Sequence, residues 1–135
     1  MTTFQVLSNY LNSPMYLVCP ADKRCVVATN FSFGFTGKNI SYFVGVDANT
    51  NYLQAFLSGD NSFVVNDVPV KTGFLELSTN MTTDWYKIPI GWADGRHDAC
   101  GMIGFADGDV RETYYGSLRY YLSRTGLATN RLAIP

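Results

Sequence analysis

Hydrophobic and polar positions alternate most clearly over residues 40–46, where Ile40, Tyr42, Val44 and Val46 interleave with Ser41, Phe43 and Gly45. A period of two predicts a strand with the first four side chains on one face. Residues 52–58 predict the next strand, closed by Gly59-Asp60-Asn61. Residues 63–65 and 74–77 predict two more, separated by a turn over 68–73. The small apolar run at 101–106 predicts a buried strand and 109–113 its return. Asp107-Gly108 between them predicts a two-residue type I′ turn, which needs positive φ at both central positions. That turn sets Phe105 opposite Val110 and Ile103 opposite Glu112, with Met102 and Gly104 on the other face.

Helical spacing appears twice. Phe4, Leu7 and Leu11 share one face of residues 2–11, with Thr2 and Gln5 at capping-box spacing and a stop at Asn12-Ser13-Pro14. In residues 116–124, Leu118, Tyr121 and Leu122 form an apolar face, Arg119 and Arg124 suit the C-terminal half, and Gly126 supplies a left-handed cap. Between these, 15–18 reads as a short strand and 26–37 as a turn-rich loop with one β excursion. Residues 81–95, with both tryptophans and Pro89, read as a long surface excursion, and 127–135 as a docked tail. The expectation is an α+β fold in one domain, residues 1–135. It is an antiparallel sheet with an N-terminal and a C-terminal helix packed on it.

With 47% hydrophobic and 16% charged residues, the chain has the composition of a folded domain and not of a disordered one. Its net charge is −1, and Lys and Arg are scattered, which argues against nucleic acid as a partner. No run approaches the ~20 apolar residues of a membrane helix. Nine tyrosines, nine phenylalanines and two tryptophans fill a sheet core; where they fall in loops, Trp85, Tyr86 and Trp92 are candidate contacts for a glycan or protein ligand.

Cys19 and Cys25 are close enough in sequence for a disulfide in an oxidising compartment, which leaves Cys100 as an odd thiol. Their spacing is poor for zinc. Oxygen-rich turns at 47–51, 60–61, 94–98 and 107–109 are the one opening for a cofactor, calcium. None has EF-hand spacing, and turn chemistry explains the same residues. Sequons begin at Asn30, Asn39 and Asn80. No nucleophile elbow, phosphate loop or dinucleotide fingerprint is present.

His97, the single histidine, invites an acid–base reading with Asp107. Ten extended steps of ~3.3 Å separate them by ~30 Å, so the pair does not meet along a strand. The residues favour turn chemistry for Asp107 and a capping or loop-anchoring bond for His97. A hydrolase that joins His97 to Asp94, Asp98 or Asp107 ranks last of the functional readings.

A histidine, nine residues, then Asp-Gly (His97, Asp107, Gly108) resembles the signature of the bacterial H-X9-DG pseudopilin-like family, processed by prepilin peptidase. LVCPAD at 17–22, NISYFVGVDA at 39–48, FLSGD at 56–60 and TGLATNRLAIP at 125–135 resemble the same group in the same order. The resemblance implies the globular head of a pilin or pseudopilin, a type II secretion or type IV pilus component. Such a head is a structural subunit of a surface filament and not an enzyme. It implies like subunits or other pilin-family proteins as partners, and a periplasmic or extracellular location at the cell surface. Family members begin with a basic leader and an apolar anchor helix. Here Met1-Thr2-Thr3 leads straight into residues 2–11, which the resemblance makes the tail of that spine, so the segment itself is expected to make no membrane contact. The alternative is a monomeric extracellular module that binds glycan or protein through its aromatic loops.

Overall fold

In the computed structural model the described residues are 2–79 and 84–135. The Asn80-Met81-Thr82 sequon, and the Thr2 side chain expected to cap the first helix, lie outside the described residues. The chain divides into two compact units, one running to Tyr42 and taking in Pro135, the other Phe43–Ile134.

Short polar residues and proline shape the first unit. The helix expected over 2–11 is one turn, α1 (Thr2–Val6), followed by a 3-10 turn at Leu7–Asn9. Ser8, Asn9 and Asn12 compete for the backbone, and a segment this short cannot sustain a helix by propensity. The strand expected at 15–18 is instead a 3-10 turn, Pro14–Leu17. Ser13 Oγ accepts from Met15 N at 3.3 Å and Pro14 takes the first position, so Ser-Pro starts a turn here as well as ending a helix. No strand forms over 26–37; Asn30 Oδ1 instead accepts from the amides of Ser32 (3.0 Å) and Phe33 (2.9 Å). A 3-10 turn at Gly37–Asn39 is capped by Thr36. Asn39, the second sequon asparagine, is buried and donates to Val26 O at 2.7 Å.

The second unit is built from strands: β1 (Tyr42–Gly45), β2 (Phe56–Asp60), β3 (Phe63–Val65), β4 (Val68–Pro69), β5 (Gly73–Ser78), β6 (Ile90–Trp92), β7 (Cys100–Phe105), β8 (Val110–Tyr114) and β9 (Thr129–Ile134). Helix α2 (Tyr115–Ser123) lies between the last two. One sheet has the order β5-β9-β1-β2-β7-β8 and the other β4-β3-β6. The fold is mixed α/β, with mostly antiparallel pairing and few helices. Phe43, Phe56, Phe63, Trp92, Ile103, Phe105, Leu118 and Leu122 belong to one buried cluster. The rings of Phe43 and Phe63, one from each sheet, lie 5.4 Å apart.

Several expectations change here. In β1, where the alternation left the inward face open, Phe43 is fully buried, while Tyr42 and Val44 are half-buried and Val46 is exposed. Phenylalanine has more apolar area than valine and, unlike tyrosine, no hydroxyl that needs a partner, so it takes the inward position. Residues 52–55 turn instead of extending, with Ala55 N donating to Tyr52 O at 2.8 Å. β2 therefore starts at Phe56 and runs through the Gly59-Asp60 pair expected to close it.

Asn66 and Asp67 both have positive φ, and Val65 pairs with Val68, so Asn66-Asp67 is a two-residue hairpin turn. The 68–73 segment consequently begins as β4. Residues 84–95 are not all surface, because β6 within them is buried along its length and pairs with β3. The 127–135 tail holds β9, an inner strand between β5 and β1. The expected helix over 116–124 is present as α2, and Gly126 has φ of +80°.

Candidate functional site

β7 positions the stretch 96–113. The buried Arg96 guanidinium donates to Asn61 Oδ1 from both terminal nitrogens, at 3.2 and 3.1 Å, and lies 3.9 Å from Asp60 Oδ1. The other Asp60 oxygen accepts from Met102 N at 2.8 Å. His97 Nε2 lies 4.0 Å from Asp60 Oδ1. The backbone of His97, Asp98 and Ala99 is left-handed, at φ +54°, +51° and +59°. Non-glycine residues visit that region at a cost of about 1–2 kcal/mol each, so the turn exists because its surroundings hold it. Cys100 helps from below, its Sγ donating to His97 O and lying 3.5 Å from Glu112 Oε1. Burial first, then the Glu112 carboxylate, pushes the Cys100 thiol above its ordinary pKa.

At the far end of β7 the register is Gly104↔Val110 and Ile103↔Arg111, one residue from that expected. The type I′ turn does not form. Gly108 N donates to Phe105 O at 3.0 Å and Phe105 N to Asp109 O at 2.8 Å, and Gly108 alone has positive φ, +89°. This is a three-residue loop of type I turn and left-handed glycine. Asp107 Oδ1 accepts from Asp109 N at 2.9 Å and its other oxygen from Gln54 Nε2 at 2.8 Å. His97 and Asp107 thus hold opposite ends of one strand, each with different partners. The expected faces are present, with Ile103 and Phe105 buried and Met102 exposed.

Of the aromatic candidates, Tyr86 is exposed and Trp85 half-buried, but Trp92 is buried and stacks on Phe63 at 4.8 Å. Trp92 is therefore a core residue and not a surface contact. Its place near α2 is taken by Tyr120, edge-on to Trp85 at 5.8 Å. Arginines lie on the rings: Arg119 over Tyr115 (4.3 Å), Arg124 over Tyr120 (5.2 Å) and Arg111 over Tyr121 (5.2 Å). Arg119 also donates from Nε to Ile90 O at 2.8 Å and from a terminal nitrogen to Tyr86 O, tying α2 to β6. Tyr115 fits because residue 91 is glycine; a Cβ there would lie 1.9 Å from the tyrosine ring. These tyrosine–arginine pairs escaped the sequence reading, which took Arg119 and Arg124 as dipole partners only. The 4-residue spacings Tyr115/Arg119 and Tyr120/Arg124 were the available signal.

Cys19 and Cys25 are thiols with no disulfide between them. Cys25 Sγ donates instead to Asp22 Oδ2 and Ile40 O, both at 3.3 Å, and burial is the main reason its pKa is raised. Three of the four oxygen-rich turns considered for calcium, at 47–51, 60–61 and 107–109, are engaged in turn and ion-pair chemistry. Asp47 pairs with Arg131, Asn49 Oδ1 accepts from Asn51 N at 2.9 Å, and Asp109 pairs with Arg111 at 2.6 Å. Arg131 holds the Asp47 carboxyl below its usual range. Comparison with protein-family models, with curated proteins and with solved structures finds no match for this chain.

Proposed function

We propose that this chain is the globular head of a pilin-like or pseudopilin subunit, with helices flanking an antiparallel sheet, which works by contact with like subunits at the bacterial surface. What supports the reading is the use made of the signature residues. His97 and Asp107-Gly108 bracket one strand, and the polar groups at both ends are spent on holding backbone: Asp60 on Met102 N, Asp107 on Asp109 N, Cys100 on His97 O. Groups committed in this way position a hairpin and are poorly placed to move protons for a substrate. The reading calls for no cofactor.

These 135 residues by themselves should be a monomer or weak oligomer in dilute solution. Apolar burial contributes roughly 25 cal/mol per Å², and most of it in such a filament belongs to the spine. Light scattering with reductant present tests this, reductant excluding covalent dimers through the thiols. A stable high-order polymer would contradict it, as would turnover of ester, peptide or glycoside substrates abolished by His97→Gln in a folded protein. The second reading, a binding module, gains from the aromatic surface of Trp85, Tyr86 and Tyr120.

A further inference from the structure

The solvent side of α2 carries a set of groups that the hairpin does not use. Lys87 and Arg111 each have a carboxylate, Asp84 at 2.6 Å and Asp109 at 2.6 Å. Arg124 has none: it is exposed, lies 5.2 Å from the Tyr120 ring centroid, and its guanidinium makes no hydrogen bond among the described residues. Trp85 and Tyr86 extend the same surface, with Trp85 edge-on to both tyrosines. A guanidinium held against a ring has already lost much of its freedom, so a carboxylate that meets it costs little further ordering. A neutral sugar would need the ring faces, and arginines lie over those of Tyr115 and Tyr120. The surface is therefore suited to a protein carboxylate.

The chain carries the complement itself. Asp94 and Asp98 are exposed within one short turn, and neither has an ion-pair partner among the described residues. Buried Arg96 between them and the left-handed backbone of residues 97–99 fix that turn in advance. Elsewhere Asp47 and Asp22 are paired with Arg131 and Arg24, Glu76 faces Arg131 across the sheet, and Asp67, exposed at the Asn66-Asp67 turn, has no second carboxylate in its turn.

We propose that the α2 face around Arg124, Tyr120 and Trp85 binds the Asp94/Asp98 turn of a second copy of this chain. The two halves differ, so the contact is head-to-tail and propagates openly, as a filament requires. It rests on the reading of the chain as an assembling head and names the surfaces that meet.

Charge exchange tests it. Sedimentation velocity of the reduced head, from roughly 10 µM to 1 mM, spans the range of such weak contacts. The parent is expected to associate in low salt and less so in high salt. Arg124→Glu and Asp94→Lys should each weaken association about tenfold or more, and an equimolar mixture of the two should restore it. Asp98→Asn, which keeps a residue tolerant of left-handed backbone, should weaken it less. Circular dichroism establishes that each variant is folded. A parent that stays monomeric throughout, single variants that associate like the parent, or a mixture no better than its components would each overturn the contact. Micrographs of the same variants behind an anchor helix separate the two claims. Filaments that persist in both single variants overturn the contact and leave the assembling head standing. Charge-exchanged association of heads whose anchored parent forms no filament supports the contact and removes the filament reading.

Discussion

At the Cys100 end of β7 three consecutive residues, none of them glycine, hold left-handed backbone, while at the Phe105 end one glycine does. The exit loop is encoded where it stands: Asp107 accepts from an amide two residues on, and Gly108 takes the position that needs positive φ. The entry turn is imposed from a distance. Arg96 reaches Asn61 and Asp60, thirty-five and thirty-six residues away in sequence, and a thiol holds the His97 carbonyl. One strand is thus framed by a local turn and by a tertiary one. The tertiary end should be the more easily broken, and by more kinds of change.

Arg96→Met tests that asymmetry with the largest effect. Removing one member of a buried pair leaves Asp60 with less to balance it, a loss of about 3–5 kcal/mol by chemical denaturation. Gly108→Val should cost less, about 1–3 kcal/mol. Open space surrounds a Cβ at Gly108, so that cost is backbone strain alone. A Gly108→Val variant as stable as the parent would mean that the exit loop does not need its left-handed residue.

Ala99→Gly sharpens the comparison because its sign is unusual. In ordinary backbone the change costs about 0.5–1 kcal/mol, but at φ +59° it relieves strain. The expected outcome is a protein as stable as the parent or up to about 1 kcal/mol more stable; a loss of stability would remove the left-handed turn. The smallest effect is in pH. The Cys100 thiol has its pKa raised in the folded state, so its contribution is fully present below the usual thiol value of about 8.5 and is lost as pH rises through the raised one. Denaturation across that range should show falling stability, with a shallower slope in Cys100→Ser; the remainder includes Cys25, which is raised in the same direction.

What was legible in the sequence follows the same division. The hairpin, its buried face, the α2 segment and strands β3 and β5 depend on neighbours in sequence, and the pattern found them. The register slipped by one because Asp-Gly suits both a two-residue I′ turn and the last positions of a three-residue loop. The alternation in β1 does not say which face is inward, because large apolar residues stand on both sides, and only packing against Phe56 and Phe63 selects Phe43. β6 and β9 were missed because each is short or terminal and pairs with strands distant in sequence. At the candidate site His97 drew attention as the single histidine, whereas Arg96 beside it reaches the buried partners. Charge pattern alone does not tell a buried arginine from a solvated one.

The central claim, that this chain is a head that works by assembly, is most directly tested by electron microscopy of one pair of proteins. One is the chain as it stands; the other carries an apolar spine helix ahead of Thr2 and is expressed with a prepilin peptidase and a pilus assembly apparatus. Thin filaments from the second and none from the first, with reductant present, are the expected result. An anchored chain that reaches the membrane folded and yields no filaments would contradict it.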